Sequence, residues 1–495
     1  MTVKMNESGL TRLQKIQFYI ASGARSIISG LVTSAFIKYY TDYIGLDPRW
    51  MGIVFVIYSV WAAINDPILG IWLDKRPYKK GIGKYRPALL RAMPAWIVIT
   101  LAFPWASPSW SQLAISIYLF LALTLWETAA TMFGIAYGAI ATNLFLTTAE
   151  RAEVEVIDNY VGALTIFGSS IPIMILSANV SNQVMLLFFA IATVAAGLIM
   201  AISIPVVRER EGFYTHDVVE TLSFGEFLAA TLELLRNQAF LTFFLTFFMW
   251  QSLASNYLFG MAYFYDNVIL STGFWTGLPD ILIGIMGLVL FPFIAVWIRR
   301  HGSKQVLSRM MVWSLVGYAL LTFVPATRGD ALDTVRILGL NVPAEASYWL
   351  ATLAYFVVYV GFSAVYTANG PISKRLIDYL ELKTGQRRPG TISGVKGVLM
   401  TPSSSVLIFF YTQIIAAFGY DGASKVQDLR AQWGIRIATG LLPVTMVLIG
   451  MFFFHRYPID RETENEVEAE MLARHRPSSP AAGMDAGEAI AGVGG

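Results

Sequence analysis

The chain has 495 residues, 56% of them hydrophobic and only 14% charged, with a net charge of +3 and a mean hydropathy of +0.57. Soluble domains carry about 25% charged residues, so this composition excludes an ordinary soluble fold and points to a polytopic membrane protein. There is no cysteine, which excludes disulfides and thiolate metal sites.

The amino end, MTVKMNESGLTRLQK, is polar and is not followed by a short apolar run with a small-residue cleavage site, so no cleaved signal peptide is expected. A helix needs about 20 apolar residues to cross the bilayer core. Twelve such stretches recur, near residues 17–42, 50–73, 88–107, 112–142, 157–178, 183–206, 239–265, 273–298, 306–326, 347–368, 391–418 and 434–455. The segment VWAAINDPILGIWLDKRPYKKGIGKYRP puts Asp66 within the second apolar stretch and Lys75, Arg76, Lys79, Lys80, Lys84 and Arg86 directly after it. Arg208, Arg210, Arg299, Arg300, Lys304, Lys374, Arg375, Lys383, Arg387 and Arg388 fall on that same side, and the opposite loops after spans three, five and seven carry no Lys or Arg. Positive residues are retained in the cytoplasm, so both ends are expected there. Arg49, Arg328, Arg336, Lys425 and Arg430 are exceptions, too few to reverse the assignment.

One polar segment divides the spans into six plus six. The expected parts are a bundle over 1–206, a linker over 207–238, a second bundle over 239–456 and a largely disordered tail over 457–495. The linker contains SFGEFLAATLELLRN, an amphipathic stretch suited to the membrane interface. The tail ends in PSSPAAGMDAGEAIAGVGG, too poor in bulky apolar residues to fold. PILGIWLDKRPYKKGIGK after span two is echoed by PFIAVWIRRHGSKQ after span eight, with Pro67 and Trp72 matching Pro292 and Trp297. Such parallel repeats resemble the major facilitator transporters, an all-α fold of twelve transmembrane helices in two six-helix bundles with the substrate site between them.

Ionisable residues inside spans are costly and face a cavity or one another. Asp66 is the first candidate; its bland alternative is snorkelling or capping a neighbouring helix. Arg25 and Glu127, on spans one and four, are expected to form a midplane pair. Helical spacing puts Thr131, Gly134 and Gly138 on the face of Glu127, and the glycines leave room for a solute. Arg25 also suits a carboxylated sugar, because its planar fork grips carboxylates bidentately. Lys396 on span eleven is a candidate partner for Asp66 in an inner gate, against the alternative of a snorkelling lysine. Asp158 and Asn159 read as a helix start, and Asp280 as a cap for span eight. Trp126, Tyr137, Trp250 with Gln251, Tyr355 and Tyr359 are candidates for stacking on a solute, weighed against plain packing.

Asn65-Asp66-Pro67 with Gly70, the basic loop ending Lys84-Tyr85-Arg86-Pro87, Asp378-Tyr379 with Lys383-Thr384-Gly385, and YYTDYIGL at residues 39–46 together resemble the glycoside-pentoside-hexuronide:cation symporters, the family that contains the melibiose permease. The resemblance covers essentially all twelve spans. It implies a symporter that couples a sugar-like solute to Na⁺ or H⁺, with Asp66, Asn65 and Thr131 matching cation-site positions and Ala62 standing where the permease has a second carboxylate. Its sugar-binding aspartates fall on Ser26 and Gly134, the lysine beside the first on Arg25, its span-five arginine on Val161 and its span-eleven lysine on Thr401. Melibiose is therefore not the expected substrate. A lone acid favours H⁺ over Na⁺, because one carboxyl suffices to load and release a proton. The resemblance further implies a state-stabilising inner-loop motif, carried by Asp74, Lys75, Gly83 and Arg86, with Asp378, Lys383 and Arg387 as its match in the second half.

The expected function is cation-coupled symport of a sugar, glycoside or uronide-like solute by alternating access. The alternatives are transport of a lysolipid or another amphipathic solute, and a receptor that no longer transports. His216, His301, His455 and His475 show no metal-gathering spacing, and nucleophile elbows and phosphate-cradling loops are missing from the sequence, so no enzyme activity is expected. No cofactor is expected beyond H⁺ or Na⁺ as coupling ion, with no metal apart from Na⁺ at Asp66. The expected partners are a small-molecule substrate and the lipid bilayer, not nucleic acid. The chain is expected to act as a monomer in a bacterial inner membrane.

Overall fold

The computed structural model describes residues 8–145, 148–162, 165–178, 180–209, 224–327, 329, 331–337, 339–385 and 389–474. Among them, ten helices are long and apolar enough to cross a membrane. They are Arg12–Asp42, Pro48–Leu73, Arg86–Trp105, Gln112–Leu144, Asn182–Val206, Phe274–His301, Ser303–Phe323, Ala346–Thr384, Gly394–Ala417 and Leu429–His455, which correspond to spans one to four, six and eight to twelve. Span seven is the helix Gln238–Asn267, apolar only over Gln238–Ala254. Its far end, from Phe259 to Leu270, is buried in protein, and a helix sheathed by protein tolerates the polar side chains that lipid would reject. Span five is described in two pieces, Thr148–Gly162 and Thr165–Ser177.

The helix starts follow local chemistry. Thr11 and Gln14 form a reciprocal capping box ahead of span one. Asp47 accepts from Arg49 N at 2.7 Å with Pro48 in the first turn of span two, and Asp428 accepts from Ala431 N at 2.7 Å to start span twelve. Span ten runs well past the expected 368, to Thr384, because SKRLIDYLELKT keeps helical propensity until Gly385, at φ 70°, closes it. Along span four, Ile117, Leu121 and Leu125 recur at i, i+4 and i+8 and are 51–54% exposed, an outward stripe that lipid covers. Spans nine and ten touch where a Cβ on Gly317 would lie 2.5 Å from the Val358 amide. A short antiparallel hairpin, Thr334–Ile337 with Leu340–Pro343, joins those two spans.

The linker amphipath forms the helix Phe224–Arg236, as its pattern predicts. The tail's charged stretch forms the helix Arg461–Arg474, held down by buried Tyr457, Ile459 and Val467. Apolar anchors spaced along a charged sequence suffice to dock it. The residues from 475 on lie outside the described ones.

The face bearing residues 8–11, the 75–85 loop and 457–474 is called below the terminal face. Bonds that join the two six-helix halves gather at the opposite face: Lys38 with Asp266, Gln413 Nε2 donating to Arg49 O at 3.2 Å, and Gly273 N donating to Ser177 Oγ at 3.0 Å.

Candidate functional site

Span two presents Tyr58 and Asp66 toward span four, which presents Glu127 and Thr131. Thr131 Oγ1 lies 2.9 Å from Asp66 Oδ1 and 3.4 Å from Glu127 Oε1, and Tyr58 OH donates to Glu127 Oε2 at 2.7 Å. Two carboxyl groups therefore share one hydroxyl, and Asn65, the residue before Asp66, is buried with an amide nitrogen that has no partner. A hydroxyl has a single proton to give. Both contacts are satisfied together only when one carboxyl itself carries a proton.

Glu127 thus does not pair with Arg25, as its shared depth in the bilayer suggests. The spans cross so that its face meets Tyr58. Arg25 turns instead over Gly134, where its guanidinium nitrogen lies 3.8 Å from the place a Cβ would occupy, and it is exposed. Trp126 is one position and about 100° around the helix from Glu127. It is buried edge-on against Trp96 at 5.6 Å and packs span four on span three. Tyr137 is also structural, stacking on Phe18 at 4.8 Å and donating to Phe18 O at 2.9 Å. Gly138 is exposed with nothing within 4 Å of a built Cβ.

In the second half, a cavity of about 330 Å³ is lined by Trp250 and Gln251 of span seven, Phe362, Asn369 and Ser373 of span ten, and Lys396 and Met400 of span eleven. Lys396 does not meet Asp66 here. Its Nζ donates to Asn369 Oδ1 at 3.3 Å and Ser373 Oγ at 3.1 Å. Tyr355 is fully buried, stacked on Tyr265 at 5.8 Å, and Tyr359 packs on Gly287 and within 5.9 Å of Tyr257, so neither lines that cavity.

The opposite face is closed by a buried ion cluster that local sequence does not announce. Lys38 Nζ bonds Asp42 Oδ2, Asp266 Oδ2 at 2.9 Å and Asn267 Oδ1 at 3.2 Å. Tyr420 OH donates to Asp42 Oδ1 at 2.7 Å, and Thr41 Oγ1 lies 2.7 Å from Tyr263 OH. Lys425 stands 3.9 Å from Asp266; burial depresses its own proton affinity, against the raising effect of Asp266. Span eight adds Asp280, which accepts from Ser170 Oγ of span five at 2.5 Å. Asp280 sits in the second turn and bridges the halves, so it is not a cap. Asp158, similarly, lies well inside Thr148–Gly162 and not at a helix start, with one oxygen buried and unpartnered; the Asn159 side chain lies outside the described residues.

On the terminal face, Glu209 takes the amides of Lys84, Tyr85 and Arg86 at 2.9, 2.9 and 2.5 Å, an anion at a helix N-terminus. Glu464 takes the Ser303 amide at the start of span nine at 3.4 Å. The segments IPVVRERE (residues 204–211) and YPIDRETE (457–464) form a second repeat between the halves, in which Glu209 stands opposite Glu462 and Glu464 opposite Glu211. Of the inner-loop candidates, Arg86 contributes its amide to Glu209, Lys75 is exposed, and the Asp74 side chain lies outside the described residues. Asp378 is half-buried and Lys383 lies 5.7 Å over the Tyr379 ring, while Arg375 reaches the tail through Glu468 at 2.6 Å; Arg387 lies outside the described residues.

The MFS/sugar transport protein family matches residues 18–461. The chain belongs to that family. The protein is therefore a multi-pass membrane transporter with the major facilitator fold. It is 21% identical over 480 residues to the uncharacterized symporter YnaJ of Bacillus subtilis, covering 95% of this chain and 97% of that one. It is 24% identical over 511 residues to the sodium-dependent lysophosphatidylcholine symporter 1 of Gallus gallus, covering 95% and 91%. The solved nucleoside transporter NupG superposes with a TM-score of 0.61 at 13% identity over 90% of this chain and 100% of that one, a likeness of fold alone.

Proposed function

We propose that this transporter is a proton-coupled symporter of a compact sugar, glycoside or uronide-like solute, with Asp66, Thr131 and Glu127 as its coupling group. The observation that carries this reading is the single Thr131 hydroxyl set between two carboxyls, at 2.9 and 3.4 Å. A proton loaded on either acid completes the network, and its loss leaves two like charges with one donor between them, which favours a different arrangement of spans two and four. Span two packs on span eleven of the other half, so loading a proton at Asp66 biases which side is open.

Joined at one face and carrying its cavity toward the other, the molecule has the form of one end-state of alternating access. The basic loop at Lys75–Arg86 supports the terminal face as the cytoplasmic one, and the state as inward-open. A cavity of about 330 Å³ is at the small end of ligand sites and supports a monosaccharide-sized group over an acyl chain.

Na⁺ is the second reading, favoured by one observation: Glu127 supplies the second carboxylate that Ala62 does not. The sodium dependence in the name of the Gallus gallus relative agrees with it. The test is uptake of labelled sugars, uronides and lysolipids by vesicles with pH and Na⁺ gradients varied separately. Accumulation of a sugar-like solute driven by the pH gradient alone is expected. Accumulation that follows only Na⁺, or only of lysolipid, overturns the reading, and cation-independent binding without accumulation points to a receptor.

A further inference from the structure

We propose that the cavity of the second half is a subsite for an oxyanion carried by the solute, a carboxylate, sulfonate or phosphate, with Lys396 as its counter-charge. The inference rests on the transport reading above and adds the chemical class of what is carried. Two buried lysines elsewhere are paired with acid: Lys15 with Glu150 and Glu153 at 3.5 and 2.7 Å, and Lys38 with Asp42 and Asp266. Lys396 differs. Its described partners are the neutral oxygens of Asn369 and Ser373 and the Phe243 ring at 5.1 Å, and no carboxylate among the described residues stands within ion-pair distance of it.

The remaining polar hydrogens on that wall all point to one kind of ligand. An ammonium has three donors, two of which are used. Ser373 Oγ and Asn369 Oδ1 accept from Lys396, which leaves the serine hydroxyl proton and the asparagine amide hydrogens free to donate. Trp250 closes the wall from span seven, its indole nitrogen turned to Gly450 of span twelve and not to the cavity. Gln251 faces the cavity from the same span. A ligand that matches a positive charge ringed by free donors is rich in acceptors and negatively charged, and Phe362 offers an apolar surface to the body that bears it. An intramembrane cation without a counter-ion is unfavourable, so an arriving anion gains more at Lys396 than a neutral hydroxyl does.

The test is binding to purified protein in nanodiscs, by calorimetry, of 4-nitrophenyl β-D-glucuronide and 4-nitrophenyl β-D-glucoside, which differ only in a carboxylate against a hydroxymethyl group. The wild type should bind the glucuronide about tenfold tighter or more, as expected of a charge-assisted contact. Lys396→Met should erase that gap, Lys396→Arg should keep most of it, and Ser373→Ala, a milder change to the same wall, should narrow it. Equal affinity for both probes in the wild type, binding of neither, or a preference that survives Lys396→Met overturns the inference. Lysophosphatidate serves as a third probe: tighter binding than the glucuronide, lost in Lys396→Met, keeps the anion subsite and makes its source a lipid. Proteoliposomes separate this failure from that of the transport reading. Proton-driven accumulation of glucoside with no gain from the carboxylate sinks only the subsite, whereas Lys396-dependent glucuronide binding without accumulation sinks only transport.

Discussion

Replacing Lys38 by Met removes the centre of the cluster that holds the opposite face shut. Its side chain is 2% exposed and that of Asp266 is 10%, so the change leaves Asp42 and Asp266 close together and away from water. Removing one partner of a buried pair costs about 3–5 kcal/mol. Lys425, 3.9 Å from Asp266, compensates in part, so the lower figure applies, and about 1.4 kcal/mol per tenfold converts it to a roughly 100-fold shift toward the state open at that face. The chain contains no cysteine, so a reporter can be placed freely. Thr412 is 1% exposed at the seam, its hydroxyl 2.5 Å from where a Cβ on Gly52 would lie. In a Thr412→Cys background, Lys38→Met should raise labelling by an impermeant maleimide at the opposite face about 100-fold, because labelling follows the open population. An unchanged rate would refute the cluster as a lock.

Gly317→Ala should destabilise the protein by about 1–3 kcal/mol through overpacking against the Val358 amide, seen as a lower thermal transition in detergent, while Gly138→Ala, with nothing within 4 Å, should leave it unchanged. Glu209→Ala strips the acceptor from the amides of Lys84, Tyr85 and Arg86; a loss of about 1–2 kcal/mol, in the range of a helix cap, should appear as faster amide exchange over those residues. Burial pushes the Glu150 carboxyl up, but bonds from Ser8 and the charge of Lys15 outweigh it and hold the group below the usual glutamate range. A carboxyl so depressed stabilises the fold above its unfolded value, about 4.3, and the contribution is lost as pH falls through the depressed folded value. The thermal transition should therefore drop on acidification below pH ~4, and Glu150→Gln should flatten that limb of the curve.

Much of the architecture was legible because lipid imposes a long apolar period on each span. Span seven shows where that signal fades: its buried far end, with Asp266 and Asn267, is chosen for protein contacts. The site was legible in part. The family resemblance marks Asp66 and Thr131, and the fold sets them 2.9 Å apart. Glu127 was placed on the right helical face but given the wrong partner, because spacing along span four fixes a face and only the crossing with span two fixes what it meets. Trp126 illustrates the same limit: an aromatic one position from Glu127 points about 100° around the helix from it. The lock of Lys38 on Asp266 joins residues from different halves, and nothing local marks either one. A repeat comparison extended past the sixth span of each half finds both acidic segments but pairs Glu209 with Glu462, so only the fold shows that Glu464 takes the Ser303 amide.

The coupling claim is tested most directly by solute-driven proton movement in Na⁺-free proteoliposomes carrying an external pH dye. Adding a solute found active in the uptake panel should alkalinise the medium with the wild type. Asp66→Asn should abolish that signal and still exchange solute across the membrane at equilibrium. Undiminished proton movement in Asp66→Asn, or wild-type uptake with no proton movement, would contradict a coupling group built on Asp66, Thr131 and Glu127.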